Sequence, residues 1–219
     1  GKSKVISGFK FALNNQGSSL VADDKYALYE LLELKNVPII EHQILYSDKN
    51  KNDYAMDSKG IEFALKYFEK NNKDIVIKPN DGTSGIDIFH VNSLESLIDS
   101  YQKLFPKYFS VSMCPYYQIK NEYRTIFLDG EVELFYQKER PIIVGDGTKN
   151  IKELILEFNK NYYNNEDNLK KEIDHNYIPK KGEVINYGWQ FNLSKGSKVN
   201  VDVDSEIKNK VLALAKNAY

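Results

Sequence analysis

The sequence is short of the residues that build covalent and metal-bound frameworks. One cysteine, Cys114, in 219 residues excludes an internal disulfide and a cysteine-cluster metal site, and fits a reducing compartment. Three histidines, His42, His90 and His175, lack metal-ligand spacing and read as ordinary surface or core residues. No window approaches the roughly 18 consecutive apolar residues of a membrane span, and the N-terminus lacks the basic-then-apolar pattern of a secretory signal. The expectation is a soluble, cytoplasmic protein. Charge of one sign is also missing: 30 basic against 31 acidic side chains leave −1, so no global field recruits nucleic acid or anionic membrane. Any polyanion must be gripped locally. Arginine occurs twice, at Arg124 and Arg140, among those 30 basic residues, which makes both candidates for two-pronged anion contacts that lysine cannot make. What is present, 42% apolar and 13% aromatic side chains, can bury a sizeable core.

Asp23 and Asp24 precede Ala27, Leu28, Leu31 and Leu32 on one face, which predicts a capped helix over about 24–36, stopped by Pro38. Residues 39–46 read as a strand and 47–57 as a polar loop. Ile61, Ala64, Leu65 and Phe68 predict a helix ending at Asn71-Asn72. Residues 74–79 and 86–91 read as strands around the turn-forming run 80–85, Ser93 caps a helix carrying Leu94, Leu97, Ile98 and Tyr101, and 108–113 returns to strand. Strand, helix, strand, strand, helix, strand describes an α+β subdomain. Further on, 122–128 and 131–139 make a hairpin through Asp129-Gly130. Gly145-Asp146-Gly147 leads into a helix with Ile151, Leu154, Ile155 and Phe158 inward. Residues 159–182 read as a solvated helix plus loop, 183–203 as β-like, and Ser205 starts a last amphipathic helix with Ile207, Val211, Leu212 and Leu214. That helix follows a sheet still being built, so the expectation is a fragment of a larger protein, with Gly1 a trimmed start.

P-loop, dinucleotide-fold and zincin motifs are absent. The segment Ile77-Lys78-Pro79-Asn80-Asp81-Gly82-Thr83-Ser84-Gly85 stands out instead. A lysine closing a buried strand needs an anion or carboxylate to meet its charge, and a loop of small residues can turn its N–H groups to phosphate. The alternative is a plain turn with an exposed lysine. Cys114 has no histidine near it in sequence and reads as an inert thiol. Tyr116-Tyr117 and Tyr162-Tyr163, without a basic stripe, read as packing or cleft wall.

Taken in order, Asp24-Lys25, Val37-Pro38, Ile75-Val76-Ile77-Lys78-Pro79 with Gly82 and Gly85, Glu122-Tyr123-Arg124, Gly145-Asp146-Gly147 before Glu153-Leu154-Ile155, and Asn192-Leu193-Ser194-Lys195-Gly196 resemble an ATP-grasp protein over about residues 21–204. The likeness is greatest to cyanophycin synthetase and the glutathione-synthesising part of bifunctional bacterial enzymes, with D-alanine:D-alanine ligase more distant. The resemblance implies an α+β ATP-grasp fold, two α+β subdomains clasping a nucleotide between antiparallel sheets with the last strands missing. It divides the chain into a leading segment 1–22, a central lid subdomain 23–113 and an incomplete C-terminal subdomain 114–219.

By the same resemblance Lys25 and Lys78 would meet ATP phosphates, and the 80–85 loop, with Asp81, Gly82, Thr83, Ser84 and Gly85, would close over the β- and γ-phosphates. Tyr116, Tyr117 and Gln118 would form the hinge that reads adenine, and Glu122 would take the ribose hydroxyls. Two departures weaken the adenine part: Pro115 replaces a common acidic residue and Lys120 a glycine. Arg140 would meet the transferring phosphate, with Arg124 beside it on the strand face of Glu122, although Glu139-Arg140-Pro141 is one residue shorter than the usual Arg-x-Pro. A surface ion pair is the alternative for each arginine. Asn192 and Ser194 would orient substrate, or form an ordinary polar turn. Family members hold Mg²⁺ on an Asp or Glu and a later Glu-x-Asn; nothing after Asn192 reads that way, so no metal ligand is assigned and such ligands are expected beyond Tyr219. The implied activity is ATP-dependent ligation of a small-molecule carboxylate to an amine, such as an amino acid or peptide, through an acyl-phosphate, with the 219-residue chain expected to be inactive alone. The alternatives are a non-catalytic nucleotide-binding module and a small-molecule kinase; oligomeric state is not readable.

Overall fold

The computed structural model describes residues 6–7, 10–11, 13–46, 60–160, 162 and 173–218. The polar stretch expected at 47–57, and 161 and 163–172 of that at 159–182, lie outside the described residues. The chain divides into two compact units, Gly1–Tyr116 and Tyr117–Tyr219.

The first unit opens with a two-residue pair, β1 (Ile6–Ser7) and β2 (Lys10–Phe11), then α1 (Gln16–Asp23) and α2 (Lys25–Leu34). Helix α1 is capped by Asn15, whose side chain accepts the N–H of Ser18, and has no buried residue. With no apolar face it had no periodic signal to read. The remaining elements are β3 (Gln43–Tyr46), α3 (Ile61–Lys70), β4 (Ile75–Pro79), β5 (Phe89–Val91), α4 (Leu94–Leu104) and β6 (Ser110–Pro115). They follow the expected order and form one antiparallel sheet, β3-β6-β4-β5.

Three strands differ from expectation. Residues 39–42 do not pair: the carbonyl of Ile40 is held by His42 Nδ1 at 2.8 Å, and continuing the register would set position 41 against Pro115, which has no N–H. Strand β5 is three residues long because Thr83–Ile86 turn, with Ile86 N–H donating to Thr83 O, and Asp87 takes φ 52°. Strand β6 runs two residues later than predicted, reaching Pro115.

Alternation along these strands separates two faces. Leu45, Ile75, Ile77, Val91, Val111 and Met113 point to a core shared with Ala64, Tyr67 and Phe68 of α3 and Leu97 and Leu104 of α4. The opposite face carries Ile44, Val76, Lys78, Ser112 and Cys114, with Lys78 paired across to Ser112 and Val76 to Cys114. Ser93 caps α4 through a reciprocal pairing with Ser96.

In the second unit β7 (Glu122–Leu128) and β8 (Glu131–Lys138) form the predicted hairpin, and β11 (Val199–Asn200) adds beyond β8. The two turn residues Asp129 and Gly130 both have positive φ, 52° and 86°, the conformation an Asp-Gly pair tolerates. A second pair joins β9 (Ile142–Val144) to β10 (Val184–Asn186). Helix α5 (Ile151–Phe158), boxed by Asn150 and Glu153, buries Ile151, Leu154 and Ile155 against Ile143, Tyr162 and Tyr187. Phe158, expected inward, is 69% exposed, because it sits in the final turn, past the contact with Ile143. The stretch read as β-like at 183–203 is mostly loop, with a 3₁₀ turn at Leu193–Lys195. Helix α6 (Ser205–Ala218) has no buried residue, and its Ile207 and Leu214 are exposed. No described helix is long and apolar enough to cross a membrane.

Candidate functional site

A helix begins with four N–H groups that lack intrahelical partners. In α2 all four are met. Asp24 Oδ1 accepts from Ala27 N–H, and the N–H of Asp24 itself, the N-cap, donates to Leu20 O. The other two go to a residue far along the chain: Asn80 O accepts from Lys25 N–H at 3.1 Å and Asn80 Oδ1 from Tyr26 N–H at 3.1 Å. Asn80, only 1% exposed, thereby fastens the root of the glycine-bearing loop to the start of α2. Sequence reasoning counted it only as the first residue of the loop, since a polar residue after buried Pro79 looks like any turn residue.

The Lys25 ammonium completes the stitch, donating to Asn80 O at 3.0 Å and to Gly82 O at 2.6 Å. An ammonium carries three N–H donors, so these two carbonyls use only two of them. Burial, then the neighbouring Lys78 ammonium, hold the Lys25 pKa below its usual value, while Asp81 acts in the opposite direction. The same Lys78 charge, with Lys25, reaches the buried imidazole of His42. It also stands beside Cys114, whose thiol pKa is raised by burial and partly returned by Lys78. Lys25, Lys78 and the start of the loop are thus brought together by α2 and β4.

Within the loop, Asp81, Thr83 and Ser84 are exposed, Ser84 and Gly85 have φ 59° and 70°, and Gly82 lies so close to Pro79 that a Cβ would sit 2.8 Å from its Cβ. The far end is anchored by Asp87, which accepts from Tyr108 OH at 2.7 Å and from Lys107 Nζ.

The hinge residues are held unequally. Tyr116 N–H donates to Asp74 O, and its ring stacks on His90 at 3.8 Å, with His90 Nε2 2.6 Å from Asp74 Oδ1. Tyr117 and Gln118 are exposed. In the second unit Glu122 is paired with Lys138, which faces it across the strand pair. Arg124 is exposed on the same strand, opposite Tyr136. Arg140 donates to the carbonyl of Ile119 at 2.6 Å and lies 5.2 Å over the ring of Phe191, so it braces the segment after the hinge against the residue preceding Asn192. Asn192 Oδ1 accepts from the N–H and hydroxyl of Ser194, the polar-turn geometry, and Ser194 O accepts from Asn159.

The donors around Lys25 and Lys78 suit a polyphosphate. For a divalent cation, among the described residues no three His, Cys, Asp or Glu side chains group to hold one, so no described residue is assigned to Mg²⁺.

No family model matches the sequence, and no curated protein does. Solved structures do match in fold. D-alanine–D-alanine ligase from Bacillus anthracis is similar over 94% of this chain and 50% of its own, with 15% identity and a TM-score of 0.57. The same ligase complexed with ATP gives 0.55 at 13% identity, over 94% and 49%. D-cycloserine synthetase gives 0.54 at 14% identity, over 94% and 53%. The chain spans about half the length of these structures. Two mixed units, helix-backed antiparallel sheet in the first and a long hairpin in the second, with the likeness to those ligases over 94% of the chain, give this chain the ATP-grasp fold.

Proposed function

We propose that this chain is the nucleotide-binding part of an ATP-dependent carboxylate–amine ligase. The observation that carries the reading is the convergence of the Lys25 and Lys78 ammonium groups beside a glycine-bearing loop, close enough for one to lower the pKa of the other. Like charges are brought together in a partly buried site where a polyanion will separate them, and a triphosphate is the polyanion that the ATP-grasp fold accommodates in the ATP-bound ligase.

In this reading residues 23–113 form the lid and 114–219 the second subdomain. Lys78 and the third N–H of Lys25 meet the phosphates, and residues 81–85 close over them. Tyr116, Tyr117 and Gln118 border the adenine, and Glu122, released from Lys138, takes the ribose. Arg124 and Arg140 stabilise the transferring phosphoryl group, and Asn192 and Ser194 orient substrate.

The reaction runs in two steps. A substrate carboxylate oxygen attacks the γ-phosphorus, the bond to the β-bridging oxygen breaks, and ADP leaves. An amine nitrogen then attacks the acyl carbon, inorganic phosphate departs with the C–O electron pair, and the amine proton goes to solvent. Ammonium groups fixed around the phosphates favour the first step by lying where charge shifts. The substrates expected are a small-molecule carboxylate and an amine such as an amino acid or peptide.

Mg-ATP titrated against the chain and against Lys78→Ala tests the site: at least tenfold weaker binding by the variant is expected, and equal affinity removes Lys78 from it. ADP release from the full-length protein only when amino acids are added supports ligation. A phospho-ester product would instead make it a kinase, and persistent silence a binding module.

A further inference from the structure

Among the groups on the lysine-bearing side of the first sheet, one is absent from the reading above. His42 is 9% exposed and lies two residues before Ile44, which faces the Lys78–Ser112 pair through β6. A carbonyl can only accept, so the 2.8 Å contact with Ile40 O places a proton on Nδ1. Nε2 of the neutral ring is then the lone pair that can take a further proton. The charged groups whose fields shift the imidazole are both cations, Lys78 from β4 and Lys25 from α2; the Glu33 carboxylate of α2 is taken up by the Tyr29 hydroxyl at 2.6 Å. From α2 it also meets the ring of Tyr29, 6.2 Å between centroids, and Cys114 of β6 stands beside Lys78 with a thiol kept protonated by burial. No carboxylate is among the groups that shift it.

We propose that His42 is a third anion-binding residue of this site, an uncharged imidazole in the free protein that takes a proton from solvent and becomes a cation as phosphate groups enter. The physics is linkage. Two ammonium charges and burial disfavour a proton on the ring, and its pKa is pushed down to about 4. A triphosphate brings negative charge into the same space, cancels the two ammonium fields and adds attraction of its own, so the ring gains a proton on binding. Its Nδ1–H stays on Ile40 throughout, which holds the ring plane fixed while Nε2–H forms. The site would thus match its charge to its occupant, and affinity would rise as pH falls toward 6.

This inference rests on the nucleotide reading of the site. The test is calorimetric titration of tripolyphosphate and of ATP into the chain at pH 6, in two buffers of different ionisation heat, beside His42→Gln. Subtracting the variant removes the ligand's own titration. The expected result is a substantial fraction of one proton taken up per anion by the unaltered chain beyond that of the variant, and binding by the variant about tenfold weaker at pH 6, the effect of one pKa unit. Imidazole NMR signals give a second readout, with His90→Gln and His175→Gln identifying that of His42 by elimination; it should shift to the protonated position on saturation at pH 6. Binding without extra proton uptake, or a His42 signal that stays neutral at saturation, overturns the inference and leaves the nucleotide reading standing. Failure of both anions to bind overturns the nucleotide reading and this inference with it.

Discussion

Asn80 accepts the backbone N–H of Tyr26 through its side-chain oxygen and that of Lys25 through its carbonyl, across 54 residues of sequence in the first case. One buried asparagine therefore completes the start of a helix and roots a loop at once. Asn80→Ala should leave the Tyr26 N–H without a partner and lower stability by about 1–3 kcal/mol, read as a fall in urea midpoint. It should also weaken Mg-ATP binding, since the loop root is freed. Asn80→Asp, which keeps the acceptor, should recover most of the stability.

The pH dependence of folding has a defined sign at His42. Its folded pKa, about 4, lies below the ordinary value of 6.5, so the unfolded chain binds the proton first. Its contribution is present above pH 6.5 and is lost as pH falls toward 4. Between pH 7 and 5 this amounts to about 2 kcal/mol. Urea denaturation across that range should show a shallower loss for His42→Gln than for the unaltered chain; parallel curves would contradict the assignment.

Gly82 and Gly85 should fail differently. At Gly82 an added Cβ meets Pro79 at 2.8 Å, so Gly82→Ala must shift the loop away from β4 and should weaken Mg-ATP binding severalfold. At Gly85, φ 70° disfavours alanine by about 1 kcal/mol, which should register in thermal stability.

Tyr108 reports on the loop's outer anchor. Its hydroxyl donates to Asp87, and that bond, with burial behind it, pushes its pKa up to about 12. In Asp87→Ala the tyrosine should titrate near 10 by ¹³Cζ NMR, and the loop after Gly85 should exchange its amides faster.

The order of elements from β3 to β6 was legible because each carried its own periodicity, and the lysine closing β4 because a charge at the end of an apolar strand demands a reason. Strand ends were less so, since they depend on a neighbour: Pro115 on β6 decides where β3 begins. The surroundings of His42 and the helix contact of Asn80 were not legible. The first depends on two lysines from other elements, the second on a helix start distant in sequence, and neither leaves a local pattern. Phe158 was misread because helical spacing continued one turn beyond the apolar contacts of α5.

The pairing of β4 with β6 has a built-in safeguard. Were the strands to slip by a single position, Ile77 would turn outward and the ammonium of Lys78 inward, among Leu45, Phe68 and Met113. Such a misaligned form would bury a bare cation in hydrocarbon, so the lysine proposed to meet the phosphates also polices the alignment of the sheet that carries it.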